Sequence, residues 1–160
     1  MTWGSAVARV ILSSATWLLL SILVGWRTHS ISLGALRRWE RLFVLSRFEE
    51  GGRPYDRYLA IRRWKKYLPE GGNFFEGGVN KRHLGRRDEA VLERFVLETE
   101  RAELTHWILL VVDLLPLLWM RQWLVWVVVA YTVVGNAPCL ITQRYNRARL
   151  LRYLRKRRRS

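Results

Sequence analysis

The sequence predicts an all-α integral membrane protein. About three transmembrane helices are expected, an N-terminal anchor plus a C-terminal hairpin, with basic amphipathic helices on the cytoplasmic side. Three observations predict this. Half of the 160 residues are hydrophobic, and they gather in two blocks. The 28 Lys and Arg, against 13 Asp and Glu, fill the space between and after those blocks. Five of the nine Trp, at positions 3, 26, 107, 119 and 123, fall near the block ends, where an aromatic belt would sit. The net charge of +15 would also suit a nucleic-acid binder, but long Leu, Val and Ile runs are too apolar for a small soluble basic domain, so no nucleic-acid partner is expected.

The first block, 6–26, is long enough to cross the hydrocarbon. It lacks a basic leader and a small-residue cleavage pattern, so it reads as a retained anchor rather than a signal peptide. The second block, from Leu104 to Thr142, is too long for one span and is broken at Met120-Arg121-Gln122. It reads as a hairpin of spans 104–120 and 123–142, with Pro116 and Pro138 as kink positions. The remainder is a cytoplasmic amphipathic region, 27–103, and a basic tail, 143–160. The chain is one membrane domain, 1–160. The distribution of basic residues places region and tail on the cytoplasmic side, and the N-terminus and hairpin tip outside, of what is expected to be a bacterial inner membrane.

Within the cytoplasmic region, Leu33–Phe48 has apolar residues at helical spacing and reads as one surface helix. Glu49-Glu50-Gly51-Gly52-Arg53-Pro54 should break it. Tyr55–Pro69 reads as a second basic amphipathic stretch, and the glycine-rich run around Phe74-Phe75 as a loop. Asp88–Trp107 carries acids in its first turn and should run directly into the second span.

Polar residues within the apolar blocks are candidates for chemistry. On a helix, Thr99, Glu103, His106, Leu110 and Asp113 share one face. Asp113 then lies about 10 Å deeper than His106. An ionisable group at that depth needs a partner or water. The last span has its own stripe, Thr132, Asn136, Cys139 and Gln143. If the turn centres on Arg121, His106 faces Asn136, Glu103 faces Cys139, and Thr99 faces Gln143. His106 is the expected general base, with Glu103 as its orienting carboxylate. Arg144 and Arg147 have the fork that holds a phosphate or carboxylate, and lipid headgroups would use it as readily. Asn136 and Gln143 supply neutral donors for a developing oxyanion. Asp113 adds a third potential ligand beside Glu103 and His106, but the three His stand in unrelated contexts and no metal is expected. Cys139, the single cysteine, excludes an internal disulfide and reads as an inert thiol.

Four stretches in order carry a family likeness: IRRWKKYLPEGG (61–72), NKRHL (80–84), FVLETERAELTHW (95–107) and NAPCLITQRYNRARL (136–150). Together they resemble the glycosyl-4,4'-diaponeurosporenoate acyltransferases of staphyloxanthin-type carotenoid synthesis. The resemblance implies a membrane acyltransferase that moves a fatty acyl group to a sugar hydroxyl of a glycosylated carotenoid or similar lipid. It implies an acyl thioester such as acyl-CoA, or an acyl carrier, as co-substrate and no cofactor. Matching positions add Glu98, Arg101, Asn146, Trp64 and Lys65 to the expected binding residues, the last two with Lys66 near a donor entrance. Membrane lipid is an expected partner, and self-association of the chain is a further expectation. Two other classes stay open: a non-catalytic lipid-binding or scaffold subunit, and a small membrane methyltransferase acting on an isoprenoid-like lipid.

Overall fold

The computed structural model describes residues 3–68 and 89–159, all helical or in short connections. The Pro69 boundary, the Phe74-Phe75 loop, Lys81 and His83 lie outside the described residues. Helix α1 spans Trp3–His29, α5 Glu89–Val112 and α6 Leu124–Arg157. Short helices α2 (Leu33–Arg38), α3 (Arg53–Leu59) and α4 (Ile61–Trp64) connect α1 to the rest.

Two helices are long and apolar enough to cross a membrane, within Gly4–His29 and Leu124–Arg157. Their apolar side chains point outward: Ile11, Leu18 and Leu19 on α1 and Trp126 and Val134 on α6 are all exposed, Leu19 by 67%. A core helix of a soluble protein would hide such a face, so these surfaces suit lipid.

The hairpin forms, but its first limb is not one helix. Helix α5 stops at Val112, and residues Leu115–Leu118 form a 3-10 turn. Pro116 explains the stop. It has no N–H for the carbonyl four residues earlier, that of Val112, and its ring collides with that carbonyl. The helix end is then capped from two sides. The backbone carbonyl of Asp113 accepts the Trp17 indole N–H at 2.9 Å and the Thr132 hydroxyl at 3.3 Å. Gln122, at φ +56°, completes the reversal into α6. That helix passes through Pro138 and continues to Arg157, so the basic tail is an extension of the same helix and not a separate segment.

Helix α1 is attached to the hairpin by polar contacts. Thr28 and Thr105 share a hydroxyl hydrogen bond of 2.8 Å, the Trp119 indole donates to Ser13 at 3.0 Å, and Trp17 stacks on Tyr131 at 3.9 Å. Such contacts are of the kind that joins helices in lipid, where the usual hydrophobic drive is missing. A small apolar cluster of Met120, Leu124 and Val128 closes the hairpin tip.

The expected surface helix at Leu33–Phe48 breaks. Helix α2 ends at Arg38, Glu40–Phe43 form a 3-10 turn, and Val44 and Ser46 are extended. The break lets Leu36 and Phe43 both reach the interior. Ser46 then opens a capping box with Glu49, and Gly51 and Gly52, both left-handed, turn the chain into α3 with Pro54 in its first turn. The stretch from Tyr55 breaks as well, at Ala60, whose φ is +46°. The 47–52 segment packs on α6, and α5 packs along α6 and α1.

Candidate functional site

Two polar networks meet where α5 and α6 face each other. The deeper one runs from His106 to Asp113. His106 Nδ1 lies 3.0 Å from Asn136 Oδ1, and Asn136 Nδ2 donates at 3.0 Å to both Asp113 Oδ2 and the Thr132 carbonyl. Those two acceptors fix the amide's orientation, so its oxygen faces the imidazole. Nδ1 must then carry the proton, which leaves the Nε2 lone pair available. The expected opposition of His106 and Asn136 is what the helices make.

The second network centres on Glu103, which is 1% exposed. Its Oε1 accepts Arg144 Nη1 at 2.7 Å, and its Oε2 accepts Arg147 Nη2. Glu103 Oε1 is also 3.4 Å from the Trp107 indole nitrogen. Arg144 is held on its other edge by Glu49, with Nε to Oε1 at 2.7 Å and Nη2 to Oε2 at 2.8 Å, a two-bond fork. Glu49 also accepts the Tyr55 hydroxyl and the Ser46 N–H. Burial raises the Glu49 pKa, but the Arg144 guanidinium and these donors outweigh it and bring the carboxyl down to about 2. Burial and the Glu49 carboxylate push the Tyr55 hydroxyl up to about 12.

The expected pairing of Glu103 with His106 is therefore corrected. Both carboxylate oxygens of Glu103 serve arginines of α6, and His106 takes Asn136 instead. Side chains on a helix lean toward its N-terminus, so Arg144 and Arg147 reach back along α6 to the level of Glu103.

A third group gathers around Tyr145. Its hydroxyl accepts Arg62 Nε at 3.3 Å and Arg149 Nη1 at 3.1 Å, and Lys65 Nζ lies 4.7 Å from its ring centre and 3.3 Å from Asn146 Oδ1. Lys65 and Asn146 are thus brought together beside α6. Trp64 gives its indole N–H to the Leu59 carbonyl at 2.8 Å and does not join them. Glu98 and Arg101 pair with each other at 2.9 Å, and Arg101 also donates to the Ile31 carbonyl at 2.8 Å. These two fasten α5 to the end of α1 and stand apart from the Glu103 network. Gln143 is half-buried on α6, outside both networks. Among the described residues no group of three or more His, Cys, Asp and Glu side chains forms a metal-ligand set.

Residues 38–156 match the family model of glycosyl-4,4'-diaponeurosporenoate acyltransferase (CrtO). The chain belongs to this acyltransferase family. Relatives include the enzymes of that name from Staphylococcus aureus (strain bovine RF122 / ET3-1), 28% identical over 145 residues, and from Staphylococcus haemolyticus (strain JCSC1435), 28% identical over 143 residues. Each alignment covers 89% of this chain, and 86% and 83% of the respective relative. No solved structure matches. The matched region of this acyltransferase contains the Glu103, His106 and Tyr145 groups and leaves all of α1 outside.

Glu49 and Glu100 are among the residues of the site that the sequence does not single out. Glu49 looked like part of a helix breaker, although Ser46-x-x-Glu49 carries a capping-box signature. Glu100 sits on the buried face of α5 three residues before Glu103, 6% exposed, and burial pushes its carboxyl up to about 7. Its alternation with Val96, Leu97 and Glu103 was the available signal.

Proposed function

We propose that the enzyme transfers a fatty acyl group from an acyl thioester to a hydroxyl of a glycosylated carotenoid or similar lipid-linked sugar at the cytoplasmic face of the membrane. In this reading the chain crosses the membrane three times. The end of α5 and the 115–118 turn complete the crossing between α1 and α6, and the basic segments stay inside. The observation that carries the mechanism is the hydrogen-bonded line from His106 through Asn136 to Asp113.

His106 Nε2 accepts the proton of the acceptor hydroxyl as its oxygen attacks the thioester carbonyl. The tetrahedral intermediate collapses with cleavage of the C–S bond, and the imidazolium returns the proton to the departing thiolate. Asn136 holds the ring in the Nδ1–H tautomer, and Asp113 behind it stabilises the imidazolium charge, the arrangement a hydrolase triad uses with a different intermediary. Gln143, Arg144, Asn146 and Arg147 line the α6 wall along which the polar parts of the substrates bind. Glu103 holds the two guanidinium groups in place, and so acts as a positioning residue.

The test is the lipid mass spectrum of cells that express wild-type enzyme or the His106→Ala variant. The acylated glycolipid should be lost while the variant stays folded in the membrane. An acyl-sized mass increment that persists at the wild-type level refutes His106 as the base.

A further inference from the structure

A cavity of about 710 Å³ opens between the 40–51 segment, the first half of α5 and the last third of α6. Its walls include Phe43, Val96, Leu97, Leu151 and Leu154. At its inner end sit two ionisable side chains that are almost wholly buried, Arg147 at 1% and Glu100 at 6% exposure. Arg147 gives Nη2 to Glu103, but its Nε and Nη1 have no hydrogen-bond partner, nor does Glu100 Oε2. Each such group costs about 1–3 kcal/mol while it stays unmet. Buried polar atoms are seldom left so, and three of them at the end of an apolar cavity suit a ligand with a hydrogen-bonding head and a hydrocarbon tail.

The mouth of the cavity identifies the rest of that ligand. A second cleft, of about 620 Å³, shares Arg47, Glu50 and Gly51 with the first. Arg53, Arg57 and Arg152 also line it, and the rings of Phe48 and Tyr58 stack there at 6.3 Å. Guanidinium forks select phosphate oxygens, and an aromatic pair offers a face to a planar base.

We propose that the two spaces form the acyl-donor site, for a fatty acyl chain carried as a phosphopantetheine thioester. The chain lies among Phe43, Leu97, Leu151 and Leu154. The thioester carbonyl accepts the free N–H groups of Arg147, and the carrier's phosphate lies among Arg53, Arg57 and Arg152. Those N–H groups then meet the oxyanion that forms on that carbonyl when the acceptor hydroxyl attacks. Arg147 is tied to Glu103, which is one helical turn, about 5 Å of rise, from His106. This assignment rests on the acyl-transfer reading and adds to it the place and carrier chemistry of the donor.

The experiment measures binding of radiolabelled hexadecanoyl-coenzyme A, hexadecanoyl-acyl carrier protein and free hexadecanoate to the full chain in lipid nanodiscs, with empty nanodiscs as the blank. Leu151→Trp fills the cavity from a half-buried position. It should weaken all three ligands at least tenfold. The pair Arg57→Glu and Arg152→Glu should weaken the thioesters by a similar factor and leave hexadecanoate unchanged. The tighter of the two thioesters identifies the carrier. In turnover assays both changes should raise the KM for donor without raising that for acceptor. His106→Ala should bind donor as wild type does and transfer nothing. Full thioester affinity in both Leu151→Trp and the arginine pair, each with a wild-type circular dichroism spectrum, overturns the donor site. If His106→Ala still transfers while the cavity variants lose donor binding, the base assignment fails and the donor site stands.

Discussion

Replacing Glu103 by Gln tests whether the α5–α6 interface depends on one carboxylate. Glu103 is the acceptor for Arg147 Nη2 and for Arg144 Nη1, and both Glu103 and Arg147 have side chains only 1% exposed. Arg144 keeps its fork to Glu49 in the variant. Arg147 keeps no hydrogen-bonded carboxylate, and its charge stays buried beside the Phe43 ring. Removing one partner of a buried pair costs about 3–5 kcal/mol, because the remaining charge is left in a poorly polarisable interior. For a chain of this length each kcal/mol lowers Tm by about 2–4 °C, so a drop of about 6–20 °C is expected. The assay is thermal unfolding in detergent followed by near-ultraviolet circular dichroism. Adding Arg147→Met removes the stranded charge and should recover at least about half of the loss, since apolar replacement of a whole buried pair is often neutral. A Glu103→Gln variant as stable as wild type, or a double variant no better than the single one, refutes the reasoning.

Two other substitutions read different parts of the structure. Glu100 holds its proton up to about pH 7 in the folded chain, whereas an ordinary glutamate releases it at 4.5. The stability this position contributes is full below the ordinary value and falls as pH rises through 7, by about 3 kcal/mol. Glu100→Gln should therefore flatten the decline between pH 5 and pH 8 in chemical denaturation, and an unchanged slope would exclude Glu100 as its source. The opposing contribution of Glu49, whose carboxyl is brought down to about 2, is already complete above 4.5 and does not enter that window. Gly52→Ala places a methyl group at φ +74°, 3.0 Å from the Tyr145 ring. It should cost about 1–2 kcal/mol from the left-handed backbone alone. Gly34→Ala, with nothing within 4 Å of the new methyl, should be neutral or stabilising by about 0.5–1 kcal/mol in the same thermal assay.

Several parts of the site were legible in the residues themselves. The stripe of Glu103, His106 and Asp113 follows from helical spacing alone. The opposition of His106 and Asn136 follows from that spacing and a turn at Arg121. The end of α5 at Val112 was signalled by Pro116, since a missing N–H acts four residues back whatever the surroundings. Other parts could not be read. Leu33–Phe48 has the period of one helix, but burying both Leu36 and Phe43 against α5 and α6 overrides it. Glu49 lies 95 positions from Arg144, and no local pattern connects them.

The apolar blocks, the basic segments and the face each polar residue occupies on its own helix all follow from the order of the residues. These depend on backbone geometry and transfer from water, which act within a single segment. Which charges share a bond depends instead on how the helices pack. Rotation of α5 against α6 gave Glu103 to Arg144 and Arg147 and left His106 to Asn136 and Asp113. The same packing left Arg147 and Glu100 facing a cavity, because burial and pairing of charges are set by what surrounds them in space and not by their neighbours along the chain.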